Sequence, residues 1–176
     1  ITKLSQTPLS VTFASSDLQH TATQGPLTPD HVIRTKRLPA LLENDYKEEL
    51  ASYTTSYVNY FNDNRNKEIC LNSAPNFAIL KDIGTFSFGK NIKEANIIDD
   101  ITQHTFEAIL KAEKLGGYKA LSPSEIFEVE YWELEQAKLK KSGNTPEFTG
   151  KIALVTGAAS GIGAACANML QSKGAV

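Results

Sequence analysis

The sequence predicts an α/β chain, mainly helical, with one short β-hairpin and a closing strand–turn–helix unit. Three observations carry that prediction. Apolar residues recur at helical spacing over two long stretches, about 43–64 and 91–115. Two short runs, Phe77-Ala78-Ile79-Leu80 and Thr85-Phe86-Ser87-Phe88-Gly89, flank a Lys81-Asp82-Ile83-Gly84 corner and read as a hairpin. A continuous apolar run, Ile152-Ala153-Leu154-Val155, precedes a glycine-rich turn and then an alanine-rich stretch that reads as helix.

Residues 1 to about 25 are rich in Ser, Thr and Gln and carry little periodicity. Thr28-Pro29-Asp30-His31 then has the chemistry of a helix start. Thr28 can cap, Pro29 suits the first helical position, and Asp30 complements the positive helix end. Pro39 stops or bends that segment. In the next helix Tyr46, Leu50, Tyr53, Tyr57 and Phe61 share one face, a stripe that reads as packing. In the helix over 91–115, Ile98, Ile101, Thr105, Ala108, Ile109, Ala112 and Leu115 are the expected buried face, and Gly116-Gly117 ends it. Ser122-Pro123-Ser124-Glu125 opens a further helix to about residue 140, with a capping box between Ser122 and Glu125. Lys141-Ser142-Gly143-Asn144-Thr145-Pro146 is polar and rich in breakers, so a linker over 141–149 divides a first region, 1–140, from a second, 150–176.

The closing unit is the most informative. Thr156-Gly157-Ala158-Ala159-Ser160-Gly161-Ile162-Gly163 joins the predicted strand to the predicted helix. Gly157 permits the tight turn. Gly161 and Gly163 let backbone approach a pyrophosphate and let the helix pack closely on the strand, with its free N–H groups facing phosphate. Strand, glycine turn and helix in this order open a Rossmann-type dinucleotide-binding fold. The candidate cofactor contacts are Gly157, Ser160, Gly161, Ile162 and Gly163. NAD is expected over NADP, because Ala158, Ala159 and Ser160 offer no cation for a 2′-phosphate.

Composition narrows the classes. A hydrophobic fraction of 41% is that of a globular protein, and a net charge of −2 gives no reason to expect nucleic acid. Cys70 and Cys166 lie far apart and point to unpaired thiols in a reducing, cytoplasmic setting. No apolar run approaches the ~20 residues that span a bilayer, so no membrane partner is expected. The chain does not begin with Met and stops a few residues after the last predicted helix, so both ends read as cut.

The turn at 156–163, with 150–155 before it, resembles the short-chain dehydrogenase/reductase family, whose signature is Thr-Gly-x-x-x-Gly-x-Gly. In that family a Tyr-x-x-x-Lys pair and a Ser do the proton work. No Tyr-x-x-x-Lys occurs in this sequence, so no catalytic residue is assigned. Two further stretches, 25–36 and 130–139, resemble bifunctional proteins that fuse a class II, zinc-dependent sugar-phosphate aldolase region to a short-chain dehydrogenase, of the rhamnulose-1-phosphate aldolase/alcohol dehydrogenase type. The resemblance covers about 25–174 and implies a divalent metal such as zinc, a small-molecule sugar substrate and a possible homo-oligomer. The metal would sit on a His-x-His pair, another His and an acidic group. Here only His20, His31 and His104 occur, with no His-x-His, so no metal ligand is assigned and the ligands are expected before Ile1.

His31 admits two readings, as a residue facing phosphate or metal or as a first-turn support of its helix; a lone His favours the second. His104 is expected in solvent. Glu128, Glu130, Glu133 and Glu135 are expected to form an exposed acidic face. An alternative to the enzyme is a non-catalytic scaffold or oligomerisation segment attached to a dehydrogenase, with the aromatic stripe as its contact face. On either reading one strand and one helix bury too little to order a nucleotide site alone, so residues 1–176 are expected to lack dehydrogenase activity and tight NAD binding.

Overall fold

The computed structural model describes residues 1–140 and 146–176. In order, the elements are β1 (Thr2–Ser5), α1 (Pro8–Ala14), α2 (Leu18–Thr21), α3 (Pro29–Thr35), β2 (Ala40–Leu42), α4 (Tyr46–Asn64), β3 (Phe77–Leu80), β4 (Gly84–Phe88), α5 (Ile92–Glu113), α6 (Pro123–Glu130), α7 (Glu133–Lys140) and α8 (Gly161–Ser172). The strands form one mixed sheet in the order β1-β4-β3-β2. β3 and β4 are the expected hairpin, β1 adds antiparallel to β4, and β2 runs parallel to β3.

The alternation of side chains along β3 places two cores. Phe77 and Ile79 face one side, packed with Phe13, Leu18, Ile98, Phe106 and Ile109 of α1, α2 and α5. Ala78 and Leu80 face the other, with Ala40, Leu42, Leu50 and Tyr53 of β2 and α4. A strand covered on both faces reads as an unbroken apolar run, and Phe77-Ala78-Ile79-Leu80 does. The expected α/β class holds. The Rossmann-type part of that expectation is not displayed by the described residues.

Several local expectations hold. Thr28 caps α3 by accepting from the His31 N–H, and Ser122 with Glu125 closes the capping box of α6. α3 ends before Pro39, at Lys36 with φ 65°. Gly116 and Gly117, beyond α5, take φ of 122° and 111°. α4 begins at Tyr46 rather than 43 because the Asp45 carboxylate caps it there. The Glu49 carboxylate meanwhile holds the Glu43 and Asn44 N–H groups outside the helix, at 2.9 and 3.0 Å.

Other expectations are corrected. Residues 1–25 carry β1, α1 and α2, although they lack periodicity. β1 is too short for a pattern and is fixed by pairing with β4, whereas α1 is capped by Thr7 before Pro8. The buried face of α5 is Ala95, Ile98, Asp99, Thr102, Phe106 and Ile109. Polar Asp99 belongs to it because Lys3 of β1 pairs with it at 2.7 Å, and Leu115 lies beyond the helix end, 88% exposed. The single helix expected to residue 140 breaks at Tyr131-Trp132 into α6 and α7. There Tyr131 stacks on Phe127, centroids 4.3 Å apart, and the Gln136 amide donates to the Glu130 carbonyl at 2.6 Å, replacing helical hydrogen bonding.

The strand expected over 152–155 is also corrected. It joins no sheet among the described residues. Its parallel pairing is confined to Ile152 beside Val176, through Ala153 N–H to Val176 O at 2.8 Å and Val176 N–H to Lys151 O at 3.0 Å. Ile152 and Leu154 are 85% and 94% exposed, so the apolar run lacks the flanking strands that would bury it. α8 buries none of its residues. The linker's residues 141–145 lie outside the described residues.

Phe106 is the keystone of the larger core, 1% exposed, stacked on Phe13 at 4.0 Å and tilted against Phe77 at 6.3 Å. Phe106→Ala is expected to lower the unfolding free energy by about 3–5 kcal/mol, measured by urea denaturation.

Candidate functional site

The densest chemistry lies where α3 turns into β2. Lys36, in the left-handed region, ends α3 and is buried. Its ammonium donates to the carbonyls of Asn72 and, at 2.6 Å, Ala74, and sits 3.9 Å from the centre of the Tyr57 ring. Burial pushes its pKa down to about 8, with the nearby Glu130 carboxylate opposing the fall. Arg37 follows, its guanidinium carbon over the Tyr60 ring at 5.0 Å from the centroid.

Glu130 lies between α4 and α6, 1% exposed. It was expected on a solvated acidic face, and this is the principal correction to the sequence reading. Tyr57 donates to one carboxylate oxygen at 2.8 Å and Tyr60 to the other at 3.2 Å. Tyr57 also shares a 2.9 Å hydrogen bond with Tyr131. Burial raises the Glu130 pKa; the tyrosine hydroxyls and the Lys36 and Arg37 charges pull the other way. Burial and the facing carboxylate raise Tyr57 and Tyr60 above their ordinary range, and burial pushes Tyr131 up to about 12. Glu135 is likewise buried and pairs with Lys138 at 2.8 Å, whereas Glu128 and Glu133 are exposed as expected.

This network separates two clefts. One, about 340 Å³, is lined by Arg37, Tyr53, Tyr57 and Tyr60 together with Ser52 and Ser56. The other, about 200 Å³, is lined by Lys36, Asn72, Asn76, Lys90, Glu94 and Glu130. The expected aromatic packing stripe is half right. Tyr57 and Phe61 are buried and Tyr46 is 46% exposed, while Tyr60, outside the stripe, is buried. Sequence spacing missed the network because its members come from three elements far apart in the chain. The one signal was a run of tyrosines, whose hydroxyls need partners when buried.

The predicted glycine turn is a separate feature. Gly157 and Gly161 have φ of 68° and 58°, a conformation that L side chains rarely adopt. Gly163 has another role: a Cβ there would lie 2.3 Å from the Gly157 carbonyl oxygen, so the helix start is pressed against the turn backbone. Ser160 occupies the N-cap without a side-chain cap bond, and the first N–H groups of α8 have no intrahelical acceptor. Ile162 is 85% exposed. Among the described residues, the hydrogen bonds and ion pair of 146–176 run within that segment, including Lys173 to Glu147 at 2.8 Å. The turn and the Glu130 network do not meet.

His31 takes the supporting role. It is 8% exposed, shares a 3.2 Å hydrogen bond with Thr105, and meets the His104 ring edge to face at 5.6 Å. Burial, then the His104 charge, lowers its pKa. His104 is exposed, as expected, apart from that ring contact.

Residues 1–139 match the family described as aldolase class II, second domain. The chain belongs to that family. Over 163 residues it is 29% identical to the "Uncharacterized oxidoreductase YuxG" of Bacillus subtilis (strain 168), a match covering 85% of this chain and 24% of that protein. The chain therefore spans about a quarter of that relative's length. Looser likenesses are to YgbL of Escherichia coli (17% identical, 73% of this chain, 56% of that one, TM-score 0.49) and of Klebsiella pneumoniae (16%, 70%, 54%, TM-score 0.45).

Class II aldolases generally use a divalent metal. Among the described residues no group of three or more His, Cys, Asp and Glu side chains is gathered to hold one. The residues present in this second domain do not fit a metal centre, and no catalytic step is assigned to them through a metal.

Glu130 has its pKa raised above the ordinary 4.5. The folded state therefore binds more protons than the unfolded state between those two values. Its stabilising contribution is full below the ordinary value and declines as pH rises through the raised one. Glu130→Gln is expected to flatten that decline, whereas Glu130→Ala is expected to cost about 2–4 kcal/mol by orphaning the Tyr60 hydroxyl, leaving Tyr57 only its bond to Tyr131, and opening a cavity. Chemical denaturation of both variants from pH 4 upward, stepped about one pH unit at a time, checks the signs.

Proposed function

We propose that this chain joins the second domain of a class II aldolase region to the opening of a short-chain, NAD-dependent dehydrogenase, within a bifunctional enzyme of sugar catabolism. The observation that carries the reading is the order of parts: a class II aldolase family match over 1–139, then the glycine turn at 157–163. The relative from Bacillus subtilis, itself named an oxidoreductase, supports it.

On this reading the division falls over 141–149. Gly157, Ser160, Gly161, Ile162 and Gly163 hold the cofactor pyrophosphate. The left-handed Gly157 and Gly161, the close approach at Gly163 and the open N–H groups of α8 fit that role. The bound nicotinamide supplies hydride transfer to or from an alcohol or aldehyde carbon. NAD is preferred to NADP, since Ala158, Ala159 and Ser160 place no cation at the turn. The partners are a small-molecule sugar substrate and further copies of the chain. No described helix is long and apolar enough to cross a membrane.

The test is nucleotide titration of the full-length protein by fluorescence or calorimetry. Gly163→Val places a branched side chain against the Gly157 carbonyl and forces the turn open. It is expected to abolish NAD binding while leaving the unfolding transition of the 1–140 region unchanged. Unchanged NAD affinity in that variant, or a strong preference for NADP in the parent, would overturn the corresponding part of the assignment.

A further inference from the structure

Arg37 has no assigned purpose, and its surroundings are specific. It is half-buried in the wall of the 340 Å³ cleft. Among the described residues no carboxylate pairs with it within 4.0 Å and no acceptor is hydrogen-bonded to its guanidinium. Its guanidinium carbon lies 5.0 Å from the centre of the Tyr60 ring, a contact that uses none of its N–H groups as hydrogen-bond donors. Desolvating a guanidinium without a partner is costly, and its pKa is lowered by that burial. The same cleft is lined by α4, where Ser52 and Ser56, four residues apart, share a helix face. Neither hydroxyl has a hydrogen-bond partner among the described residues, although the neighbouring Thr54 and Thr55 both bond back to their own helix.

We propose that this cleft binds the carboxylate of a small hydroxylated acid, with Arg37 forking onto the carboxylate and Ser52 and Ser56 bonding ligand hydroxyls. A planar guanidinium matches a carboxylate with two parallel N–H···O bonds. The volume is at the small end of ligand pockets, about 300–1,000 Å³. The charge balance selects the anion. Among the described residues Arg37 is the one cationic side chain lining the cleft, and Glu49 lines it too, its carboxylate held in place by the Glu43 and Asn44 N–H groups. One fixed cation and one fixed anion accept a monoanion better than a phosphate dianion. Of the other polar side chains in the lining, Tyr53 donates to the Leu38 carbonyl at 3.2 Å, Tyr57 and Tyr60 donate to Glu130, and Thr23 donates to the Gln19 backbone carbonyl at 2.6 Å, while the Gln19 side-chain amide has no hydrogen-bond partner among the described residues. The site is independent of the nucleotide turn, so it stands or falls apart from the dehydrogenase reading.

The experiment is calorimetric titration of the full chain, at fixed ionic strength, with gluconate, glucose 6-phosphate and sorbitol. Gluconate is expected to bind saturably, glucose 6-phosphate more weakly and sorbitol more weakly still. Arg37→Met is expected to weaken gluconate by at least about tenfold, with Arg37→Lys failing to restore it, because a point charge cannot replace the fork. Should Arg37→Met not fold, the exposed Ser52→Ala/Ser56→Ala pair is expected to weaken gluconate by about threefold or more without changing stability. Absence of saturable gluconate binding, gluconate affinity unchanged in folded Arg37→Met or in the double serine variant, or tighter binding of glucose 6-phosphate would each overturn the proposal.

Discussion

The buried carboxyl of Glu130 is the constraint around which the first 140 residues are arranged. A carboxyl at 1% exposure is tolerable only if its oxygens are satisfied, and the two that satisfy them come from α4. Tyr57 and Tyr60 are three positions apart on that helix, so both hydroxyls reach one carboxylate. This fixes the distance and rotation of α4 relative to α6. It also accounts for the helix break that follows: once Glu130 is anchored, Tyr131 turns onto Phe127 and Gln136 takes the Glu130 carbonyl. Lys36 then completes the arrangement. Its left-handed backbone sends the ammonium toward the Asn72 and Ala74 carbonyls while Arg37 lines the larger cleft. The two clefts are consequences of this packing.

The end of the chain obeys a different logic. Its turn is held by backbone proximity at Gly163 and by left-handed glycines, and its apolar strand residues remain exposed. Such a unit is shaped locally but gains little from burial, which is what one β–α step without flanking strands should look like. The two regions share no hydrogen bond or ion pair among the described residues. A family match over 1–139 and a nucleotide-type turn at 157–163 thus describe different physical objects. Joining them in one enzyme is a statement about function, and it rests on their order.

What was legible in the sequence was what is local. Thr28-Pro29, Ser122-Pro123-Ser124-Glu125 and Gly116-Gly117 mark helix ends by short-range chemistry, and each mark holds. The hairpin was legible because an apolar run and an alternating Thr-Phe-Ser-Phe run flank a tight corner. β1 and β2 were not, since four and three residues show no period and exist only through their neighbours in the sheet. The Thr7-Pro8 cap of α1 was present in the sequence, but no apolar face followed it over a long enough span. Glu130 was misplaced for a deeper reason. A run of acidic residues reads as a solvated face unless the partners that bury one of them are known, and those partners lie some seventy residues away, on α4. The glycine turn was legible as geometry, because positive φ and close backbone approach are written in the glycines themselves.

The most direct measurement of this account is the titration of the Glu130 side-chain carboxyl, followed by ¹³C NMR with selective labelling and assigned by its loss in Glu130→Gln. Burial between two tyrosine hydroxyls predicts a midpoint displaced upward from the ordinary 4.5, with the Tyr57 and Tyr60 ring signals shifting in the same transition. A midpoint at or below the ordinary value, uncoupled from those rings, would mean that Glu130 is solvated or strongly ion-paired, and would contradict its place at the centre of the fold.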